Sequence, residues 1–139
     1  MLPIIFTGMK NVLLKFGALV LRVSFGAAMF AFHGIGKAES VFSGKIGEFP
    51  DPIGLGSAAS FYLAAAAEAI CPIMIVLGLF TRFASAALAF NMAVALWWCV
   101  STRAPAELAA LYLAAFASIA LIGSGAYSID GALAERSKK

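Results

Sequence analysis

Four apolar runs, each about as long as a membrane crossing, occupy most of this chain and leave little else to fold. A helix that crosses the hydrocarbon of a bilayer needs about 20 consecutive, mostly apolar residues. Such runs lie at roughly 11–32, 57–80, 83–100 and 106–123 of the 139 residues. Of those residues 63% are hydrophobic and 12% charged, with a mean hydropathy of +0.96. A soluble domain carries about a quarter charged residues, so this chain has too little polar surface to coat a water-soluble globule. The expectation is a single all-α domain over 1–139, an integral membrane four-helix bundle. The first run contains Arg22, which the core of a signal peptide would not normally carry, so it reads as a retained span.

The formal net charge of +3 does not point to nucleic acid, because the basic residues sit at the ends of the apolar runs. There they act as topology signals. Lys10, Lys15, Arg82, Arg136, Lys138 and Lys139 fall on one side; Lys37, Lys45 and Arg103 fall on the other. The richer side is expected to be cytoplasmic, with both termini inside. Trp97 and Trp98 lie near the outer end of the third run, at the level of an aromatic belt. The longest polar stretch, His33 to Gly56, carries Pro50 and Pro52 and several glycines, which exclude one long regular helix there.

Ionisable residues inside the apolar runs carry the functional information. Arg22, Glu68 and Asn91 each lie near the middle of their runs. A lone charge at the centre of a span costs about 3 kcal/mol on insertion scales, so these groups should face the bundle interior and pair. Arg22 with Glu68 is the expected ion pair, with Asn91 beside it as the third member of a buried ligand-binding site. Pro72 lacks an N–H and leaves the Glu68 carbonyl without its helical donor. Lys15, Arg22 and His33 share a face at about 100° per residue. With Lys37 and Glu107 at the outer end, His33 is expected to form an outer polar cluster, and the two groups together a polar seam. Two roles stay open. The pair fixes helix register, or the site holds a ligand or a proton.

Small residues recur at helical spacing: Ser85, Ala89 and Ala93 on the third run, and Ala106, Ala110, Ala114 and Ser118 on the fourth. Such ridges let helix backbones approach closely in lipid. They serve packing within the bundle or contact with a second copy or a partner protein. Cys71 and Cys99 differ in depth by about 20 Å at 1.5 Å per residue, too far for a disulfide. No Cys-x-x-Cys, bis-histidine pair, iron–sulfur set, metal site or phosphate-binding glycine loop is present. No covalently held cofactor is implied, so redox electrons would come from a partner protein or pass between bound small molecules.

The chain resembles the DoxX family of small bacterial membrane proteins. The similarity rests on "LRVSFGAAMFAFHGIGK" (Leu21 to Lys37), "FPDPIGLGS" (Phe49 to Ser57), "AAEAICPIMIVLGLFTRFAS" (Ala66 to Ser85), "NMAVA" (Asn91 to Ala95) and "ELAALYLAAFASIALIGSGAYSID" (Glu107 to Asp130), in that order. Two features depart from the pattern. Ser124 stands between Gly123 and Gly125 where the family often has proline, and the turn before Glu107 lacks the basic and histidine residues often seen there. The family is similar to DoxD, a membrane subunit of a thiosulfate:quinone oxidoreductase, and other members look like partners of redox and sulfur-stress proteins. The resemblance implies a multi-pass protein of the bacterial inner membrane, associated with a bound quinone and a redox partner. The alternative is a non-enzymatic scaffold or assembly factor in which Arg22–Glu68 is structural. Quinone carbonyls need donors in an apolar pocket; Arg22, Asn91 and His33 can donate, with Glu68 as proton relay. A transporter ranks last, because no discontinuous helices in matching halves are visible.

Overall fold

The computed structural model describes residues 2–137, with side chains described from Asn11 onward. Helix α1 (Leu2–Met29) passes through a π-helical turn at Phe30–Gly34 into α2 (Ile35–Ser43). Helices α3 (Ser57–Leu77), α4 (Thr81–Thr102), α5 (Glu107–Ile122) and α6 (Ile129–Arg136) follow. Among the described residues there is no strand. The fold is an all-α membrane bundle in which α1 packs on α3 and α5, and α4 packs on the same two helices.

Three helical stretches, Asn11–Ser43, Ser57–Leu77 and Thr81–Thr102, are long and apolar enough to cross a membrane. α5 is apolar throughout, but its 16 residues reach only about 24 Å, short of a hydrocarbon core of about 30 Å. The spans bury one side and show the other to lipid. Leu63, Ile70 and Leu77 form an exposed stripe on α3, and Phe83, Phe90 and Trp97 form one on α4. Between the helices, Met29, Ile75, Ala84, Leu88, Met92, Tyr112, Phe116 and Ile119 form the core.

The first span corrects the sequence expectation. It does not end near Phe32 but stays helical to Ser43, where Gly44 at φ 66° stops it. The residues after His33 contain good helix formers and no proline; the prolines that break the helix come only in the following loop. The π turn absorbs one extra residue without interrupting the hydrogen bonding. The consequence is a shift in depth. α1 meets α3 with Gly26 against Pro72 and Val76, and Gly34 against the backbone of Glu68 and Ala69. The residue facing Glu68 is therefore Gly34, not Arg22.

The small-residue ridges divide. On α4, Ser85 is buried and Ala89 and Ala93 half-buried; on α5, Ala110, Ala114 and Ser118 are exposed. α5 packs instead through Tyr112, Ala115, Phe116 and Ile119. The short helix α6 follows the fourth span. Of the basic residues used for orientation, Lys138, Lys139 and the side chain of Lys10 lie outside the described residues.

Candidate functional site

Pro72 sits inside α3, and its missing N–H leaves the Glu68 carbonyl oxygen without a helical donor. That oxygen lies where a Cβ on Gly34 would be. Only glycine lets the π turn approach α3 so closely, and the approach brings α2 over the same part of α3. Lys37, one turn further along, reaches the Glu68 side chain. Its Nζ donates to Glu68 Oε2 and forms an ion pair. From the other side, Asn91 Nδ2 on α4 donates to Glu68 Oε1 at 2.9 Å. The Glu68 carboxylate is therefore held by one cation and one amide, with its side chain 7% exposed against 20% for Lys37. Lys37–Glu68 is the sole ion pair within 4 Å among the described residues.

Arg22 is elsewhere, so the expected Arg22–Glu68 pair does not form. It is 2% exposed and donates from Nη1 to the Ser124 carbonyl at 2.5 Å and from Nη2 to the Tyr127 carbonyl at 2.6 Å. Its Nε has no partner. The guanidinium occupies space that a side chain at Gly78 would take, with Nη1 2.5 Å from the Cβ position. Gly78 follows the last residue of α3, ten residues beyond Glu68, so about 15 Å separates the two charges along the bundle. The error lies in the assumed end of the first helix, since centring that helix too early placed Arg22 too deep.

Asp130 completes the Arg22 node. Its carboxylate accepts from the backbone N–H of Phe80 at 2.9 Å, from the N–H of Thr81 at 3.0 Å and from the Thr81 hydroxyl at 3.0 Å. It thereby caps α4, whose own preceding residue, Phe80, has φ 45° and supplies no cap. The Asp130 N–H returns to the Gly78 carbonyl at 2.9 Å. Partial burial pushes the Asp130 carboxyl up, but the bonds from Thr81 and Phe80 and the charge of Arg22 outweigh it and hold the group below its ordinary value.

The expected outer cluster does not assemble either. Lys37 turns to Glu68, whereas the His33 ring packs edge-on against Tyr112, 5.7 Å between centroids. Glu107 is exposed in the first turn of α5, where a negative charge favours the helix dipole.

Sequence reasoning did not find the cavity beside Glu68. A space of about 340 Å³ opens between α3 and α4. Glu68 and Asn91 provide its polar floor; Ala64, Ala67, Ala87 and Val94 line its sides, with Trp98 and Cys99 toward the outer end. Phe49, Pro50, Pro52 and Ile53, from the loop between α2 and α3, roof it. That roof is pinned by Asp51, which accepts from Ser60 Oγ at 2.7 Å, Gly56 N–H at 2.7 Å and Leu55 N–H at 3.0 Å. The Ser60 bond, opposed by the next largest effect, desolvation, and helped by the loop amides, holds the Asp51 carboxyl below its ordinary value. Phe49 is also held by Ser57, whose hydroxyl donates to its carbonyl at 2.8 Å. Clustered prolines and glycines mark a loop in sequence but not where it folds back. Both Cys71 and Cys99 are free.

The family model of DoxX matches residues 17–101, more than half of the chain. The protein belongs to the DoxX family. The region matched to DoxX holds Arg22, Lys37, Glu68, Asn91 and the whole lining of the cavity. The carbonyls that hold Arg22, and Asp130, lie beyond it. No curated protein and no solved structure matches the chain.

Proposed function

We propose that this DoxX protein is a quinone-associated membrane subunit that binds a quinone head in the cavity between α3 and α4 and works with a redox partner protein. The observation that carries this reading is a buried carboxylate–amide pair, Glu68 and Asn91, at the floor of an otherwise apolar cavity. Small-molecule sites commonly combine an apolar lining with a few convergent polar groups, at volumes of roughly 300–1,000 Å³. At about 340 Å³ the space suits one substituted ring. Asn91 uses one N–H on Glu68 and has a second to donate to a carbonyl. Phe49, Phe90 and Trp98 offer flat apolar surface to a ring. Lys37 balances the Glu68 charge, so the floor is neutral overall and favours an uncharged ligand over an anion.

A quinone, when bound, supplies a two-electron, two-proton acceptor; the electrons come from the partner. Asn91 would orient the carbonyl, and the Glu68 carboxylate, held in place by Lys37, would relay protons to the ring oxygen. In this reading the protein lies in the bacterial inner membrane with both termini cytoplasmic. Lys15, Arg82 and Arg136 at the end holding the Arg22 node support that orientation.

The test uses the purified protein in lipid nanodiscs. Quinones quench indole fluorescence, and a Trp97→Phe variant leaves Trp98, in the cavity wall, as the sole reporter. Titration with a benzoquinone should give saturable quenching. Ala67→Leu, which fills the cavity, should abolish it, and Glu68→Gln should weaken it. Absence of saturable quenching in the parent protein refutes the reading. The exposed ridge of Ala110, Ala114 and Ser118 on α5 favours a second reading, a scaffold that contacts a partner or a second copy through that face. Retained cellular function in Ala67→Leu would support it.

A further inference from the structure

We infer that the cavity is loaded sideways from the bilayer, through a portal between α3 and α4, and that its ligand is a neutral ring carrying a lipid-soluble tail that stays outside. This deepens the proposed function and rests on it.

Volume is the first argument. About 340 Å³ accommodates a ring head and leaves nothing for a long hydrocarbon chain, so a tailed ligand must have an exit. The second argument is where the wall is thin. Leu63 and Phe90 line the cavity and are also 57% and 69% exposed. Each belongs to the lipid-facing stripe of its helix, Leu63 with Ile70 and Leu77, Phe90 with Phe83 and Trp97. The same residues thus face the cavity and the acyl chains, and among the described residues no other element covers them. The third argument is that the route from outer water is the obstructed one. Phe49, Pro50, Pro52 and Ile53 lie across it, and Asp51 and Ser57 tie that loop to α3 through Ser60 and the loop amides. Toward the inner end, Met29, Ile75, Leu88 and Phe116, each fully buried, leave no passage. Phe90 is then the residue that sets access, and the alanines at 64, 67 and 87 set ring size.

The experiment compares tetramethylbenzoquinone with a fully substituted benzoquinone that carries a decyl chain, both inert to thiol addition, on the Trp97→Phe protein in nanodiscs, each concentration expressed as a mole fraction in the lipid. With a side portal the tail remains in lipid before and after binding, so the two affinities should agree within about threefold. Phe90→Leu should speed association of the tailed quinone several-fold, whereas Asp51→Asn, which loosens the roof, should leave that rate unchanged. Binding of the tail-less ring with at least tenfold weaker binding of the tailed one overturns the portal while leaving the site intact. So does association accelerated by Asp51→Asn and not by Phe90→Leu. If neither quinone binds, the site and the portal fall together.

Discussion

The assignment of Lys37, and not Arg22, as the partner of Glu68 makes a quantitative claim that a double-mutant cycle can settle. Replacing Lys37 by Met leaves the carboxylate of Glu68, a buried residue, with only the Asn91 amide. Breaking a buried pair from one side costs 3–5 kcal/mol; the partial exposure of Lys37 places this case near the lower end, about 3 kcal/mol. Glu68→Gln is milder, about 1.5 kcal/mol, because Asn91 keeps an acceptor and the Lys37 chain can extend toward the outer surface. Removing both charges leaves no uncompensated group, so the double variant should cost no more than about 1.5 kcal/mol. The coupling is then about 3 kcal/mol, well above the ~0.5 kcal/mol within which independent sites add. The matching cycle of Arg22→Met with Glu68→Gln should show no coupling beyond that ~0.5 kcal/mol, since those side chains lie about 15 Å apart along the bundle. Reversible unfolding in mixed detergent micelles supplies the free energies. A Lys37–Glu68 coupling below about 1 kcal/mol, or an Arg22–Glu68 coupling above it, would show that the charges are paired differently.

Other outcomes follow from the same geometry. Gly34→Ala puts a Cβ onto the Glu68 carbonyl and should destabilise by about 1–3 kcal/mol, as overpacking does, whereas Gly36→Ala, with nothing within 4 Å of the Cβ position, should be tolerated; thermal melts of both distinguish them. Asp130→Ala should cost about 1–2 kcal/mol through loss of the α4 cap, read by the same unfolding assay. Because folding lowers the Asp130 pKa, its stabilisation is complete above the ordinary carboxylate range and is lost as pH falls through the folded value. Asp130→Asn should therefore flatten the acid side of the melting temperature against pH, and an unchanged acid limb would contradict the capping role. Cys99 lines the cavity and Cys71 does not. In a Cys71→Ser protein, a bound fully substituted quinone such as tetramethylbenzoquinone, which has no open ring carbon for a thiol to attack, should slow alkylation of Cys99 by a membrane-permeant maleimide; equal rates with and without it would place the ligand elsewhere.

Hydropathy exposed the spans because lipid demands length and apolarity from each crossing segment alone. Glu68 and Asn91 were legible for the same reason. They lie mid-way along α3 and α4, whose ends are marked by Gly56, Gly78 and Arg103, and the freed carbonyl at Glu68 follows from Pro72 alone. Arg22 was misplaced because Gly34 and Gly36 lie inside the first helical stretch, so Gly44 does not stand out in sequence as its end. The helix continues through a π turn that periodicity at 3.6 residues cannot register, and an error of eleven residues in its end moves every side chain on it in depth. Lys37 was visible as a polar residue but not as the partner of Glu68, since its direction depends on that turn. The cavity depends on Phe49 to Ile53 folding back over α3, a tertiary arrangement with no periodic signal. Asp130 reaches a helix start 49 residues earlier, which local capping rules do not anticipate.

The cap on α4 also imposes an order on the birth of the protein. Thr81 and Phe80 leave the ribosome about fifty residues before the carboxylate that satisfies their amides. Arg22 precedes its two acceptor carbonyls by about a hundred residues. Until Ser124 to Asp130 emerge, the nascent bundle holds a bare guanidinium and an uncapped helix start at its inner end. The insertion machinery must shelter both, or leave them in the aqueous interface, while the last span is made. A chain released before Ser124 would present those unsatisfied groups to quality-control proteases with all its other spans already synthesised.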